Sequence, residues 1–156
     1  MKSIRRSHIV VVADSNRGHD LTARLRRMDV AQVTAVKDLE EARRLCRVGN
    51  ADACLVAIDL TVPDDRPTAE SDAPGLFRGI PALIVAPVVT PHLRRMARRC
   101  GYRAAVSATI PPRLLYRRIG AVLQGRRGVR RFQRSTAGMQ RVVASNPSAF
   151  DKPTLH

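Results

Sequence analysis

The stretch LVAIDLTVPD, residues 55–64, decides the fold of this 156-residue chain. Together with Ala53 and Cys54 it gives a continuous apolar run that ends at Asp59. A short apolar run bounded by polar residues is typical of a strand buried on both faces, as in a parallel sheet. The sequence therefore predicts a buried strand over residues 53–58 whose carboxyl end presents Asp59.

Apolar runs of the same kind recur on both sides of this stretch. They predict four more strands, at residues 9–13, 30–36, 80–87 and 104–107. Helical spacing predicts helices between them, and cap signals mark where some of them begin. These helices cover residues 20–28 and start at Asp38 (with Glu41 three residues on), at Thr90-Pro91 and at Pro111-Pro112. Residues 60–79 predict a long loop, with a short helix at Leu76 and Phe77.

Five alternations of strand and helix predict an α/β fold with a doubly wound parallel sheet, right-handed crossovers and helices on both faces. Functional residues of such sheets lie at the carboxyl ends of the strands. Asp14 follows the first predicted strand and Asp59 the third, so we expect the two carboxylates to share one crevice. Such a pair can hold Mg²⁺, and one carboxylate can attack a phosphoryl group. The alternative, about equally supported by spacing alone, is that both aspartates are turn residues that follow strands.

These segments resemble the receiver domains of response regulators. Residues 55–64 match that family's pattern of aspartate, Leu, two variable residues, Pro and Asp or Gly. Residues 10–14 and 80–85, and Gly101 before the fifth strand, agree in order and spacing. The resemblance covers about residues 7–124 and implies a flavodoxin-like (βα)5 fold. It also implies that Asp59 is the candidate phosphoacceptor and that Mg²⁺ would be held by Asp14, Asp59 and the Thr61 carbonyl.

Several residues depart from the family's pattern. Receivers usually carry two acids after the first strand, where this chain has Ala13 and Asp14. Ala86 stands in place of the usual Ser or Thr, Ala108 in place of the Lys, and Ala105 in place of the switching aromatic. Losing these groups weakens cation and phosphoryl binding and removes the element that switches.

The resemblance with these departures implies a pseudo-receiver in two-component (phosphorelay) signalling. We expect a non-enzymatic protein-interaction module in which phosphorylation of Asp59 and Mg²⁺ binding are weak or absent. A phosphorylatable single-domain response regulator is the alternative. The four histidines are scattered, and neither a Ser-His-Asp arrangement nor metal-ligand spacing occurs in the sequence.

Charge divides the chain sharply. The formal net charge is +15, yet residues 1–72 are neutral, and residues 73–150 contain 15 arginines and no acid. In receivers, the fourth helix, fifth strand and fifth helix form a pairing face, which here would be rich in arginine. That face predicts a partner with an acidic surface (a histidine kinase, phosphotransferase or regulator) or a homodimer. Its arginines are Arg94, Arg95, Arg98, Arg99, Arg103, Arg113, Arg117 and Arg118.

Non-specific, electrostatic nucleic-acid binding through residues 94–141 is a further alternative, although aromatic residues make up only 3% of the chain. We expect a receiver-like domain over residues 1–124 and a basic, partly disordered extension over 125–156. The longest uncharged apolar run, residues 80–89, is about half the length of a membrane-spanning helix. A cytoplasmic location is therefore expected, with no membrane partner. The odd number of cysteines favours packing thiols.

Overall fold

The computed structural model describes residues 4–124, so the predicted extension at 125–156 lies outside the described residues. Within the described part of the chain, five parallel strands form a sheet in the order β2-β1-β3-β4-β5. This order confirms the predicted doubly wound sheet. The strands are β1 (His8–Val12), β2 (Gln32–Val36), β3 (Ala53–Ala57), β4 (Ala82–Ala86) and β5 (Ala104–Ser107).

Helices connect these strands, preceded by a turn of 3-10 helix at Ile4–Arg6. They are α1 (Ser15–Arg27), α2 (Leu39–Val48), α3 (Asp65–Ala69), α4 (Ala73–Leu76), α5 (Pro91–Arg99) and α6 (residues 112–124). No helix in residues 4–124 is both long enough and apolar enough to cross a bilayer.

Helices cover both faces of the sheet. Successive residues of its central strands point to opposite sides, so both sets of side chains are buried. Val10 and Val12 of β1 belong to one apolar cluster, which includes Phe77 and residues of α2 and α5. Ile9 and Val11 belong to the other, which includes residues of α1 and α6. Continuous apolar runs in the central strands follow from this double burial.

Local capping chemistry fixes the start of two helices where the sequence predicts it. The Asp38 carboxylate accepts a hydrogen bond from the Glu41 N–H at 2.8 Å, and the Thr90 hydroxyl accepts one from the Leu93 N–H at 3.1 Å. Helix α2 ends at Gly49, whose φ of 82° is the left-handed conformation that glycine adopts without strain.

The strand ends lie within two residues of the prediction, whereas two helical segments differ from it more. Helix α1 starts five residues before the predicted residue 20, because Asp14 caps it and the polar first turn gives no apolar signal. Residues 60–79, predicted as a loop with one short helix, contain both α3 and α4. These two short helices place Ala69, Ala73 and Phe77 in the core.

Candidate functional site

Asp14 lies at the carboxyl end of β1 and is the N-cap of α1. Its Oδ1 accepts a hydrogen bond from the Arg17 backbone N–H at 3.0 Å. Its Oδ2 lies 2.8 Å from the Arg17 Nε and 2.7 Å from the second terminal nitrogen of the same guanidinium. Both carboxylate oxygens of Asp14 are therefore engaged by one residue of the first helical turn.

Arg17 also reaches the loop that follows β3. Its Nη1 donates to the Asp65 Oδ2 at 2.6 Å, so the guanidinium bridges Asp14 and Asp65. The side chains of Arg17 and Asp65 are 29% and 20% exposed, which partly shields this contact from solvent. Charge-assisted hydrogen bonds of this kind are shorter and stronger than neutral ones. Arg17 thus joins the carboxyl ends of two neighbouring strands.

Asp59 follows Ile58 just beyond β3 and belongs to the same network through its backbone. Its N–H donates to the Asp65 Oδ2 at 2.6 Å, the oxygen that also accepts from Arg17. The Asp59 carboxylate instead accepts from the Thr61 N–H at 2.9 Å and the Thr61 hydroxyl at 2.7 Å. Asp59 is therefore in an Asx-type turn, with Oδ1 taken up locally.

Hydrogen bonding lowers the pKa of both predicted site carboxyl groups. The Arg17 side chain, followed by the Arg17 backbone N–H, holds the pKa of Asp14 below its ordinary value. The Thr61 hydroxyl, followed by the Thr61 N–H, lowers the pKa of Asp59, and the charge of Arg17 adds to this. Hydrogen bonds to a carboxylate favour its charged form.

The donor set does not fit a Mg²⁺ ion. Such an ion needs oxygen ligands in near-octahedral geometry, but the guanidinium of Arg17 already lies between Asp14 and Asp65. An ion placed there would first have to displace this built-in cation. Within residues 4–124, no group of three His, Cys, Asp or Glu side chains is arranged to hold a metal.

Two hollows open beside this network at the carboxyl edge of the sheet. A polar one of about 460 Å³ is lined by Asp14 and Asp65 together with Lys37 and residues near the start of α2. The other, of about 310 Å³, is lined by residues of α1, β3, β4 and the β5–α6 loop, and we call it the α1 cavity. Its lining residues are Asn16, Arg17, Asp20, Leu21, Arg24, Ala57, Ile58, Val85, Pro87 and Ala108.

Solved structures match this architecture over most of its length. The receiver domain of a modulated diguanylate cyclase from Desulfovibrio desulfuricans aligns with a TM-score of 0.62 at 20% identity, over 78% of this chain and 96% of the other. A CheY-like response-regulator receiver from Methanospirillum hungatei aligns with a TM-score of 0.59 at 20% identity, over 78% and 97%. The chain has the CheY-like receiver fold. A protein described as pilus assembly-related, from Burkholderia pseudomallei, also aligns with this chain, with a TM-score of 0.66 at 16% identity, over 80% and 94%. Neither a family model nor a curated protein matches the sequence.

Alanines occupy the four positions at which the sequence departs from the receiver pattern, and three of them, Ala13, Ala86 and Ala108, lie at the carboxyl edge of the sheet. Ala13 and Ala86 are buried beside the ends of β1 and β4. Ala105 is a partly buried residue of β5 that packs on the α2–α5 side, and Ala108 follows β5 on the side of α1. None of the four offers a hydroxyl, ammonium or carboxylate to Asp59.

The eight predicted interface arginines of this chain are all exposed. Leu93, Met96 and Ala97 are the buried side of α5, which leaves its arginines facing solvent. Among residues 4–124, none of the eight forms an ion pair with an acid. We call α5, β5 and α6 with these side chains the arginine face.

Sequence reasoning missed Arg17, Asp65 and Arg24. Asp14 and Arg17 have the three-residue spacing of a helical ion pair, which a prediction of α1 from residue 15 would have exposed. Asp65 adjoins the Pro63-Asp64 of the family pattern, but nothing in the sequence indicates its partner 48 residues away. Arg24 donates from α1 to the carbonyl oxygens of Ala108 and Ile110, which carry no side-chain signal.

Proposed function

We propose that this chain is a pseudo-receiver, a protein-interaction module of two-component signalling whose binding does not depend on phosphorylation of Asp59. The observation that carries the proposal is the Arg17 guanidinium bridging Asp14 and Asp65. In a phosphorylatable receiver, a divalent cation would neutralise the carboxylates and the incoming phosphoryl group. Here a permanent side-chain cation is bound to two of the carboxylates, so the loops are already held together.

The groups that would respond to a phosphoryl group support the same proposal. With Oδ1 of Asp59 taken up by Thr61, a phosphoryl group would be attached through Oδ2, and it would find alanine at positions 86 and 108. A switch needs differential contacts in its two states. Because these alanines offer none, we expect modification of Asp59 to leave β4 and β5 where they are.

The partner that we propose is a protein with an acidic surface, bound at the arginine face. On α5, Arg94 and Arg98, and likewise Arg95 and Arg99, are four residues apart and exposed. Like charges at this spacing repel each other and destabilise a helix. Carboxylates from a partner would relieve that repulsion, whereas a second copy of the same arginine-rich face would add to it. An acidic partner is therefore favoured over a homodimer through this face.

Beryllofluoride, which mimics a phosphoryl group, tests whether Asp59 can be phosphorylated when it is added together with Mg²⁺. We expect the amide spectrum of the full chain to show little change and no saturation at millimolar concentrations. Stoichiometric binding, with shifts across β4 and β5, would make the chain a phosphorylatable response regulator and overturn the proposal.

Charge reversal on the arginine face tests whether an acidic protein partner binds there. The double variant Arg94→Glu/Arg98→Glu should lose the protein partner that the full chain captures from a native extract. The matched control is Arg44→Glu/Arg47→Glu on α2, which makes the same charge change at exposed positions and should keep that partner. Capture that disappears on nuclease treatment would instead identify nucleic acid as the ligand.

A further inference from the structure

The α1 cavity has an apolar interior and a charged rim. Leu21, Ile58 and Val85 line it, and Ala57 and Ala108 leave room because their side chains are short. Its volume of about 310 Å³ lies at the lower end of the range for small-molecule sites. A few polar groups around a mostly apolar pocket are the usual composition of such a site.

The rim includes Arg24, which pairs with no acid in the part of the chain that the structure describes, although Asp20 lies one helical turn away. Arg24 donates to the carbonyl oxygens of Ala108 and Ile110, and among residues 4–124 it forms no ion pair. Arg17, by contrast, is committed to Asp14 and Asp65. A bound carboxylate would provide the charge partner that Arg24 lacks, and the amide of Asn16 could donate to it as well.

The remaining rim residue restricts the charge of the ligand. Asp20 lines the same cavity, one helical turn before Arg24. Its carboxylate would repel a phosphate dianion more strongly than a monoanion. We propose that the α1 cavity binds a small, mostly apolar monocarboxylate, with its body among Leu21, Ile58 and Val85 and its carboxylate at Arg24. This proposal does not depend on the pseudo-receiver assignment.

Methyl and amide NMR of the full chain tests it with three probes: benzoate, the uncharged benzyl alcohol and inorganic phosphate. We expect saturable shifts of the Leu21, Ile58 and Val85 methyls with benzoate, weaker shifts of the same methyls with benzyl alcohol, and none with phosphate. Absence of saturable benzoate shifts at these methyls, or a preference for phosphate, would overturn the proposal.

Two variants, each with a matched control, locate the binding. Ala108→Leu should fill the cavity and abolish the benzoate shifts, whereas Ala23→Leu on the exposed side of α1 should leave them unchanged. Arg24→Gln should weaken benzoate binding by about tenfold and leave benzyl alcohol binding nearly unchanged, since charge-assisted contacts account for the difference. Arg26→Gln, an exposed residue of the same helix, is its control.

The overall methyl spectrum of each variant monitors folding in the same experiment. If Ala108→Leu does not fold, Ala57→Leu fills the cavity from β3 and takes its place. Benzoate binding that survives in a folded cavity-filling variant would place the ligand elsewhere and refute the proposal.

Discussion

Local helix geometry places Arg17 beside Asp14, and a long-range contact with Asp65 connects it to the loop after β3. It lies three positions after Asp14 at the start of α1, so the two side chains meet on one side of the first turn. The contact with Asp65 then ties α1 to the loop after β3. With a neutral side chain at position 17, the carboxylates of Asp14 and Asp65 would become available to a cation from solution.

The variant Arg17→Gln should therefore bind Mg²⁺ more tightly than the wild type, by roughly tenfold or more. Two unit charges about 4 Å apart repel each other by about 1 kcal/mol in water and about 4 kcal/mol near a protein surface, and a divalent ion doubles this repulsion. Loss of the partly exposed bridge should also lower the free energy of unfolding by about 1 kcal/mol. Amide shifts in a Mg²⁺ titration and denaturant unfolding measure the two effects.

The control for that experiment is Arg27→Gln, an exposed arginine at the end of the same helix. It should leave both Mg²⁺ binding and stability close to those of the wild type. Equal Mg²⁺ affinity in the wild type and Arg17→Gln would show that the guanidinium does not block a cation site.

The lowered pKa of Asp14 gives stability a predictable pH dependence. Its ordinary value is about 3.9, and hydrogen bonds from Arg17 lower it in the folded chain. The unfolded chain then binds more protons, so this contribution is complete above about pH 5 and is lost as the pH falls through the folded pKa. Asp14→Asn, which retains a good N-cap residue, should flatten the decline in unfolding free energy below about pH 5. Indistinguishable slopes in acid denaturation would mean that the Arg17 contact contributes nothing.

At the scale of the elements, local chemistry was predictable and long-range contacts were not. The caps at Asp38 and Thr90 and the stop at Gly49 depend on residues within one turn of the helix end, so the sequence alone predicts them. The first turn of α1 escaped prediction because residues 15–20 are polar and include Gly18. Helix α3 escaped because it is only five residues long, with a proline at its third position.

The same reasoning explains the outcome for the candidate site. Strand ends predicted the locations of Asp14 and Asp59, because parallel strands present their carboxyl ends at one edge. The direction of their side chains was not predictable, since Arg17 binds the Asp14 carboxylate and Thr61 binds the Asp59 carboxylate only once the loops have formed. Sequence spacing supported two roles for Asp14 and Asp59 equally, as turn residues or as metal ligands. The hydrogen bonds in the structure are those of a helix cap at Asp14 and of a turn at Asp59.

Capping also determines how well α5 displays its arginines. The variant Thr90→Ala should lower the free energy of unfolding by about 1 kcal/mol, because the Leu93 N–H loses its acceptor. Thr90→Ser retains a hydroxyl and should lose much less. Denaturant unfolding of the two variants checks the prediction, and equal losses would contradict a role for the hydroxyl.

At the scale of the whole molecule, repulsion among the arginines opposes folding. Residues 73–124 contain nine of them and no acid. Raising the NaCl concentration from low to about 0.5 M shortens the Debye length from tens of ångströms to a few. The thermal midpoint should therefore rise with salt, as measured by calorimetry.

The double variant Arg95→Gln/Arg99→Gln isolates the contribution of α5. Removing one pair of like charges four residues apart should stabilise the chain by about 0.2 to 0.5 kcal/mol at low salt and reduce the gain on adding NaCl. A midpoint that falls as salt is added would show that attractive ion pairs such as the Arg17 bridge outweigh the repulsion.

Because the strand order is β2-β1-β3-β4-β5, the difference in charge between the two halves of the sequence becomes a difference between the two edges of the sheet. The three strands of the neutral half, β2, β1 and β3, lie toward one edge of the sheet. The two strands of the arginine-only half, β4 and β5, lie toward the other edge. The described domain therefore carries a permanent electric dipole moment along the sheet, perpendicular to its strands. The field of an acidic surface would exert a torque on this dipole and turn the domain so that β5 and its flanking helices approach first, before any side chains touch.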